Sequence, residues 1–190
     1  MNDILTINTD DEVVKEIDIK PLPLYGEEYP MLRMLMPTFD VSTLPNSDTT
    51  NLIRRLRMTM KLYGGIGLSA NQCGVMKRLF IIGTDDFMLT CINPKVIRHS
   101  SENLKDREGC LSFPGMYLTV DRPKSIDVEF VNENGVLQQM TLDGITARCF
   151  LHELDHMNGV RFVDRVGPVA MKLARQKQQK LIKQTKRGKK

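Results

Sequence analysis

Two histidines four residues apart, His152 and His156, stand on either side of Glu153 in the run H-E-L-D-H of this 190-residue chain. On a helix, residues four apart share one face, so both imidazoles can reach a single divalent metal ion. Glu153 follows the first histidine directly and can reach a metal-held water without ligating the metal. Two neutral ligands, and a carboxylate to take and return a proton, are what metal-assisted hydrolysis requires. Isolated histidine pairs are more often solvated surface features. Here the pair, its acid and the apolar Phe150, Leu151 and Leu154 fall on one predicted helix, which favours a metal site.

A catalytic site of this kind usually has three protein ligands and one open position. The extended protease pattern H-E-x-x-H-x-x-G-x-x-H matches as far as Gly159 and fails at Phe162, which has no ligating atom. No glutamate follows Glu153, and Asp164 is the one acid beyond His156. The third ligand is therefore expected upstream, among His99 and the four cysteines Cys73, Cys91, Cys110 and Cys149. Cys110 stands out, because E-G-C-L-S-F-P-G (Glu108 to Gly115) is a tight segment that could hold a thiolate against the helix. His99 lies among polar residues of a predicted strand and reads as exposed. Cys149, three residues before His152, is expected to line the pocket or pack in the core, and Cys73 and Cys91 to be core or near-surface thiols without a role.

The elements that must position these groups are legible in outline. Leu52, Leu56, Met60 and Tyr63 recur at helical spacing, predicting a helix over Ser47–Tyr63 with Ser47 or Asp48 as its cap and Gly64 as its end. A glycine-containing turn runs from Gly64 to Gln72. Short strands are predicted over Arg78–Gly83, Phe87–Asn93 after an Asp85-Asp86 turn, and Lys95–Ser101. Ser125–Val131 alternates, turns at N-E-N-G and returns through Val136–Leu142 as a hairpin. Ile145–Met157 reads as the helix bearing the histidines, and Pro168 opens a last helix. Residues 1–40, dotted with prolines, are expected to wrap the surface as extended chain. The class is α+β: mixed or antiparallel short sheets packed around a central metal-binding helix, with a C-terminal helix. We expect one catalytic unit over residues 1–167 and a basic helix or tail over residues 168–190.

Composition narrows the possibilities further. With 41% hydrophobic and 26% charged residues, the chain has the make-up of an ordinary globular domain. No apolar run approaches the roughly 20 residues that span a bilayer. The first sixteen residues lack the basic-then-apolar order of a secretory signal, so a cytoplasmic protein without membrane partners is expected, its cysteines unpaired. The net charge of +4 conceals an asymmetry. Residues 171–190 hold nine basic side chains and no acid, while the remainder, with 18 basic against 23 acidic residues, is net −5. Such a tail is usually a solvated helix end. The sharper reading is contact with a polyanion such as ribosomal RNA.

Three segments together resemble one known family. G-I-G-L-S-A-N-Q (Gly65–Gln72), E-G-C-L-S (Glu108–Ser112) and H-E-L-D-H (His152–His156) are similar to the three signature motifs of the peptide deformylases, in that family's order. The likeness runs from Y-P-M-L-R at Tyr29 to Phe162, and C-L-S-F-P-G followed by Arg122-Pro123 resembles the plastid-like, type 1B-like branch. Ser69 and Asn71 stand where alanine and proline are frequent, and Arg148 where the family often has an aliphatic residue near the substrate pocket. The resemblance implies hydrolysis of the formyl group from N-formyl-methionyl nascent peptides. It implies that Cys110, His152 and His156 hold one divalent ion, with metal-bound hydroxide as nucleophile and Glu153 as general base and acid. The Gln72 amide and the backbone N–H of Leu111 would stabilise the oxyanion, each such donor being worth about 3 kcal/mol. Gly65, Ile66, Gly67, Glu108 and Cys149 would contact substrate. Ferrous iron is implied as the native metal, with Zn2+, Ni2+ or Co2+ able to replace it.

Two other readings compete. A zinc endopeptidase could use the same helix with Asp164 or Cys110 as third ligand. Alternatively, an interaction protein could bind RNA or the ribosome through residues 171–190 and carry a relict metal site.

Overall fold

The computed structural model of the chain describes residues 19–84 and 86–187. The expectations for residues 1–18, for Asp85 and for residues 188–190 lie outside the described residues. From residue 19 to residue 46 the chain runs without a regular helix or strand, apart from a single 3-10 turn at Pro30–Arg33, as its prolines dictate.

Helix α1 spans Ser47–Leu62. Its cap is Asn46, one residue before the expected Ser47 or Asp48. Asn46 has extended backbone, and its Oδ1 accepts the Thr49 N–H at 2.8 Å. The helix gives way at Gly64, whose φ of +66° is left-handed. Seven strands follow: β1 (Gly67–Ser69), β2 (Leu79–Gly83), β3 (Met88–His99), β4 (Asn103–Gly109), β5 (Tyr117–Pro123), β6 (Ser125–Val131) and β7 (Leu137–Asp143). Helices α2 (Gly144–Met157) and α3 (Pro168–Arg187) complete the described chain. Five strands form an antiparallel sheet in the order β1-β2-β3-β6-β7, while β4 and β5 pair as a separate two-stranded sheet. The α+β class expected from the sequence is the one observed.

Two features differ from expectation. The separate strands predicted on either side of Pro94 are one twelve-residue strand, β3. Asn93, at φ +51°, and a register shift between Ile92 and Lys95 absorb the proline, which cannot donate to the ladder. The Asn93 amide is then free to clamp Phe39, accepting its N–H and donating to its carbonyl, both at 2.8 Å. The pair β4–β5 was not predicted. In β4 six of the seven residues are exposed, so it carries almost no inward pattern.

Strand β2 explains the layering. Its side chains alternate between two cores: Leu79 and Ile81 face α1 residues Ile53, Leu56 and Met60, while Phe80 and Ile82 face α2 residues Ala147, Phe150 and Met157. The sheet is therefore sandwiched between the two helices. A third cluster, including Phe113, Leu118, Val120, Phe162 and Ala174, packs β5 and the turn before it against α3. Phe150 anchors α2, edge-on to Phe80 with ring centroids 5.1 Å apart. Replacing Phe150 by alanine is expected to lower stability by about 3–5 kcal/mol. Urea unfolding of the variant beside the wild type measures this.

Candidate active site

Helix α2 presents His152 and His156 one turn apart, both buried, with ring centroids 5.2 Å apart and edge to face. Strand β4 ends at Gly109, and the turn after it brings Cys110 to the same place. Its Sγ lies 3.3 Å from Nε2 of His156. One ligand atom from each of Cys110, His152 and His156 falls within 4.8 Å of the other two, the single such trio among the described residues.

The residues present fit a metal ion. Burial, reinforced by His152 and Arg122, holds the His156 pKa well below its ordinary value, so the ring is neutral with a lone pair to give. His152 is set between two groups that favour positive charge. Burial alone would lower its pKa, but hydrogen bonds to Cys110 and Glu108 raise it to about 10. The Glu108 hydrogen bond that raises the ring's basicity also makes it a better ligand once a metal ion takes the proton's place. Oε2 of Glu108 lies 3.0 Å from His152 Nδ1, which leaves Nε2 for the centre.

Glu108 was expected to touch substrate. The structure places it behind the His152 ring, with both oxygens engaged. Arg122 donates to it twice, from Nε to Oε1 at 2.6 Å and from Nη2 to Oε2 at 2.9 Å. Arg148 adds Nη1 to Oε1 at 2.8 Å. Arg122 also reaches Asp155 on α2 at 2.9 Å, and Asp155 accepts a further bidentate contact from Arg165.

Glu153 is buried, and burial pushes its pKa up to about 7. Ser69 donates to its Oε2 at 2.8 Å. Strand β1 passes so close that a Cβ on Gly67 would stand 2.5 Å from Glu153 Oε1 and 2.7 Å from Cys149 Sγ, and one on Gly65 would meet Leu111 Cδ1 at 2.7 Å. At Gly67 a side chain would displace the buried Glu153 carboxylate and the Cys149 thiol, so glycine is what leaves room there. Cys149 Sγ donates to the Ile66 carbonyl at 3.3 Å. Gln72 sits in the 3-10 turn Ala70–Cys73, its Oε1 accepting the Ser69 N–H at 2.9 Å. Its amide nitrogen is thereby aimed at Ser112 Oγ, 3.1 Å away, and Cys110 Sγ, 3.4 Å away.

A cavity of about 450 Å³ opens onto these groups, and every expected site residue except the deeper His156 borders it. His99 is exposed on β3, and Cys73 and Cys91 are buried in the two cores of the sheet, as expected. Sequence reasoning noted Ser69, Asn71 and Arg148 only as departures from the family pattern, and assigned no role to them or to Arg122. Asn71 donates to the His156 carbonyl at 2.8 Å and so ties the Gln72 turn to α2. The polar residues Ser69, Asn71 and Gln72 in an otherwise apolar stretch were the available signal.

The comparisons with known proteins agree. A family model described as polypeptide deformylase matches residues 21–172. The chain belongs to the peptide deformylase family. A peptide deformylase of Aquifex aeolicus is 38% identical over 164 residues, covering 83% of this chain and 96% of that one. Among solved structures, a Synechococcus elongatus peptide deformylase bound to actinonin superposes with a TM-score of 0.77 at 38% identity, covering 83% and 86% of the two chains. One from Legionella pneumophila gives 0.79 at 30% identity, covering 88% and 98%. The chain is thus a metal-dependent hydrolase of protein biosynthesis, and among its described residues no helix is long and apolar enough to cross a membrane.

Because Arg122 and His152 overcome burial, the Glu108 carboxyl lies far below its usual range in the folded protein. A depressed folded-state pKa adds stability above the unfolded value of about 4.3, and that contribution is lost as pH falls. The urea midpoint of the wild type is expected to fall between pH 5 and pH 3, and that of Glu108→Gln to fall less. Equal slopes would remove Glu108 from the account.

Proposed function

We propose that this chain removes the formyl group from N-formyl-methionyl nascent peptides, with Cys110, His152 and His156 holding one divalent ion and Glu153 managing the proton. The observation that carries the reading is the meeting of a thiol, two imidazoles and a buried carboxylate of pKa about 7 at one cavity. A bound ion supplies Lewis acidity, bringing the pKa of a water towards about 7 and polarising the formyl oxygen.

The chain's own residues do the rest. Glu153 takes the proton from water at Oε1 or Oε2 and delivers it to the departing amine, a double duty suited to a pKa near neutrality. Ser69 fixes the carboxylate's angle through Oε2. The Gln72 amide, pinned by the Ser69 N–H, and the Leu111 backbone N–H serve as donors to the developing oxyanion. Gly65, Ile66 and Gly67 give the substrate backbone an edge to lie along, and Cys149 lines the pocket. Glu108, with Arg122, sets the orientation of His152.

Of the candidate metals we favour Fe2+, with Zn2+, Ni2+ or Co2+ as substitutes, since one thiolate and two imidazoles suit each of them. We assign residues 1–167 to catalysis and residues 168–190 to an appended basic helix, working in the compartment of bacterial-type translation. Helix α3 is held to the body by Ala174, by Gln178 donating to the Pro114 carbonyl, and by Arg175 pairing with Glu27 at 2.7 Å. Lys172, Lys177, Lys180 and Lys183 are exposed on it, and we propose that they contact ribosomal RNA. Neutralising the last three to glutamine is expected to reduce co-sedimentation with ribosomes at low salt, where basic contacts are strongest. Unchanged binding would exclude this docking mode.

Formyl-Met-Ala-Ser tests the activity. Mass analysis is expected to show loss of the formyl group and no internal fragments, whereas internal cleavage would favour an endopeptidase. Glu153→Ala should keep its metal and lose about 10²–10⁴-fold in rate. Cys110→Ser should lose the metal, and unchanged metal content would sink the ligand set.

A further inference from the structure

We propose that Arg148 is a positioning residue for the metal centre, bolting the helix that carries the two histidines to the sheet that carries the cysteine. The proposal rests on the ligand set above. It concerns a residue that neither motif spacing nor ligand chemistry singles out.

The argument begins with the division of the centre between two bodies. His152 and His156 belong to α2, while Cys110 follows β4 of the separate two-stranded sheet. No strand pairing connects that sheet to the five-stranded one. Something else must hold the cysteine in register with the histidines to within a fraction of an ångström.

Arg148 is one turn before His152, on the same face of α2, and almost wholly buried at the wall of the cavity. Its guanidinium reaches across to three points of the small sheet. Nη1 donates to Glu108 Oε1 at 2.8 Å and to the Val120 carbonyl of β5 at 2.9 Å, and Nη2 donates to the Leu104 carbonyl of β4 at 2.5 Å. One side chain thus binds both strands and the carboxylate two residues before Cys110. The planar fork makes these contacts simultaneously, which an ammonium on a flexible stem cannot do. With Arg122 on its other side, Glu108 has all four acceptor positions filled: two from Arg122, one from Arg148 and one from His152. A carboxylate fixed on three sides offers His152 Nδ1 a single direction.

A buried arginine could also be merely structural, so the test must separate positioning from stability. The probe is Co2+ bound to the folded protein, its visible spectrum reporting the thiolate and its loss timed against excess chelator. Arg148→Leu is expected to release cobalt about 10–100-fold faster than the wild type, the usual effect of removing support behind a ligand. Arg148→Lys should fall between the two. Ile53→Ala, a core change on α1 against the opposite face of the sheet, should lower Tm and leave cobalt loss unaltered.

If Arg148→Leu does not fold, Arg148→Lys carries the comparison by itself. Wild-type release rates in the folded Arg148 variants would overturn the proposal. So would equal acceleration in Ile53→Ala at the same drop in Tm. A wild type that binds no cobalt would refute the metal site first and this proposal with it, whereas normal binding with unaffected variants would refute only the role of Arg148.

Discussion

Glu108 is a buried carboxylate with four hydrogen bonds, and much of the structure is arranged around meeting its needs. Taking an ion out of water costs several kcal/mol, and the cost is recovered only when geometry is good and every lone pair is used. Here Arg122 comes from β5, Arg148 and His152 come from α2, and Asp155 shares Arg122 with Glu108. The network joins β4 and β5 of the small sheet to helix α2, which carries the two histidines. Removing one partner strands a buried charge, a loss typically of about 3–5 kcal/mol. The same network that is expensive to break therefore ties the two-stranded sheet to the helix that packs on the five-stranded one.

From that constraint the site follows. With β4 locked to α2, the turn after Gly109 delivers Cys110 to within 3.3 Å of His156. Strand β1 closes the opposite wall, and its one glycine, Gly67, lets Glu153 and Cys149 lie against bare backbone. Burial of Glu153 then does chemical work, because loss of hydration lifts its proton affinity to the range in which it can act as both base and acid. Ser69, at the end of β1, and Gln72, in the turn that follows, serve two groups at once, steadying the carboxylate and aiming an amide at the cavity.

How much of this the sequence disclosed depends on range. Helix α2, helix α1 and the β6–β7 hairpin were legible because their apolar residues repeat locally at helical or alternating period. The histidine pair was legible for the same reason. The sheet β4–β5 was not: β4 reads N-L-K-D-R-E-G with little to bury, and β5 turns inward not only Leu118 and Val120 but also Arg122. An arginine at an inward position mimics a loop until its partner, fourteen residues away, is known. The division of β3 at Pro94 erred because the bulge that accommodates a proline leaves no periodic trace. Cys110 came forward by elimination and by motif, since a contact spanning 46 residues to His156 has no local signature. Glu108 was expected at the substrate, and only the three-dimensional arrangement reveals that its oxygens are already engaged.

The central claim is that one thiolate and two imidazoles from these three positions hold a single metal ion. X-ray absorption at the zinc edge of stoichiometrically loaded protein tests it directly. The account predicts one sulfur at about 2.3 Å and two imidazole nitrogens at about 2.0–2.1 Å, with the sulfur shell absent in Cys110→Ser. A coordination shell without sulfur in the wild type, or a sulfur shell that survives the substitution, would contradict it.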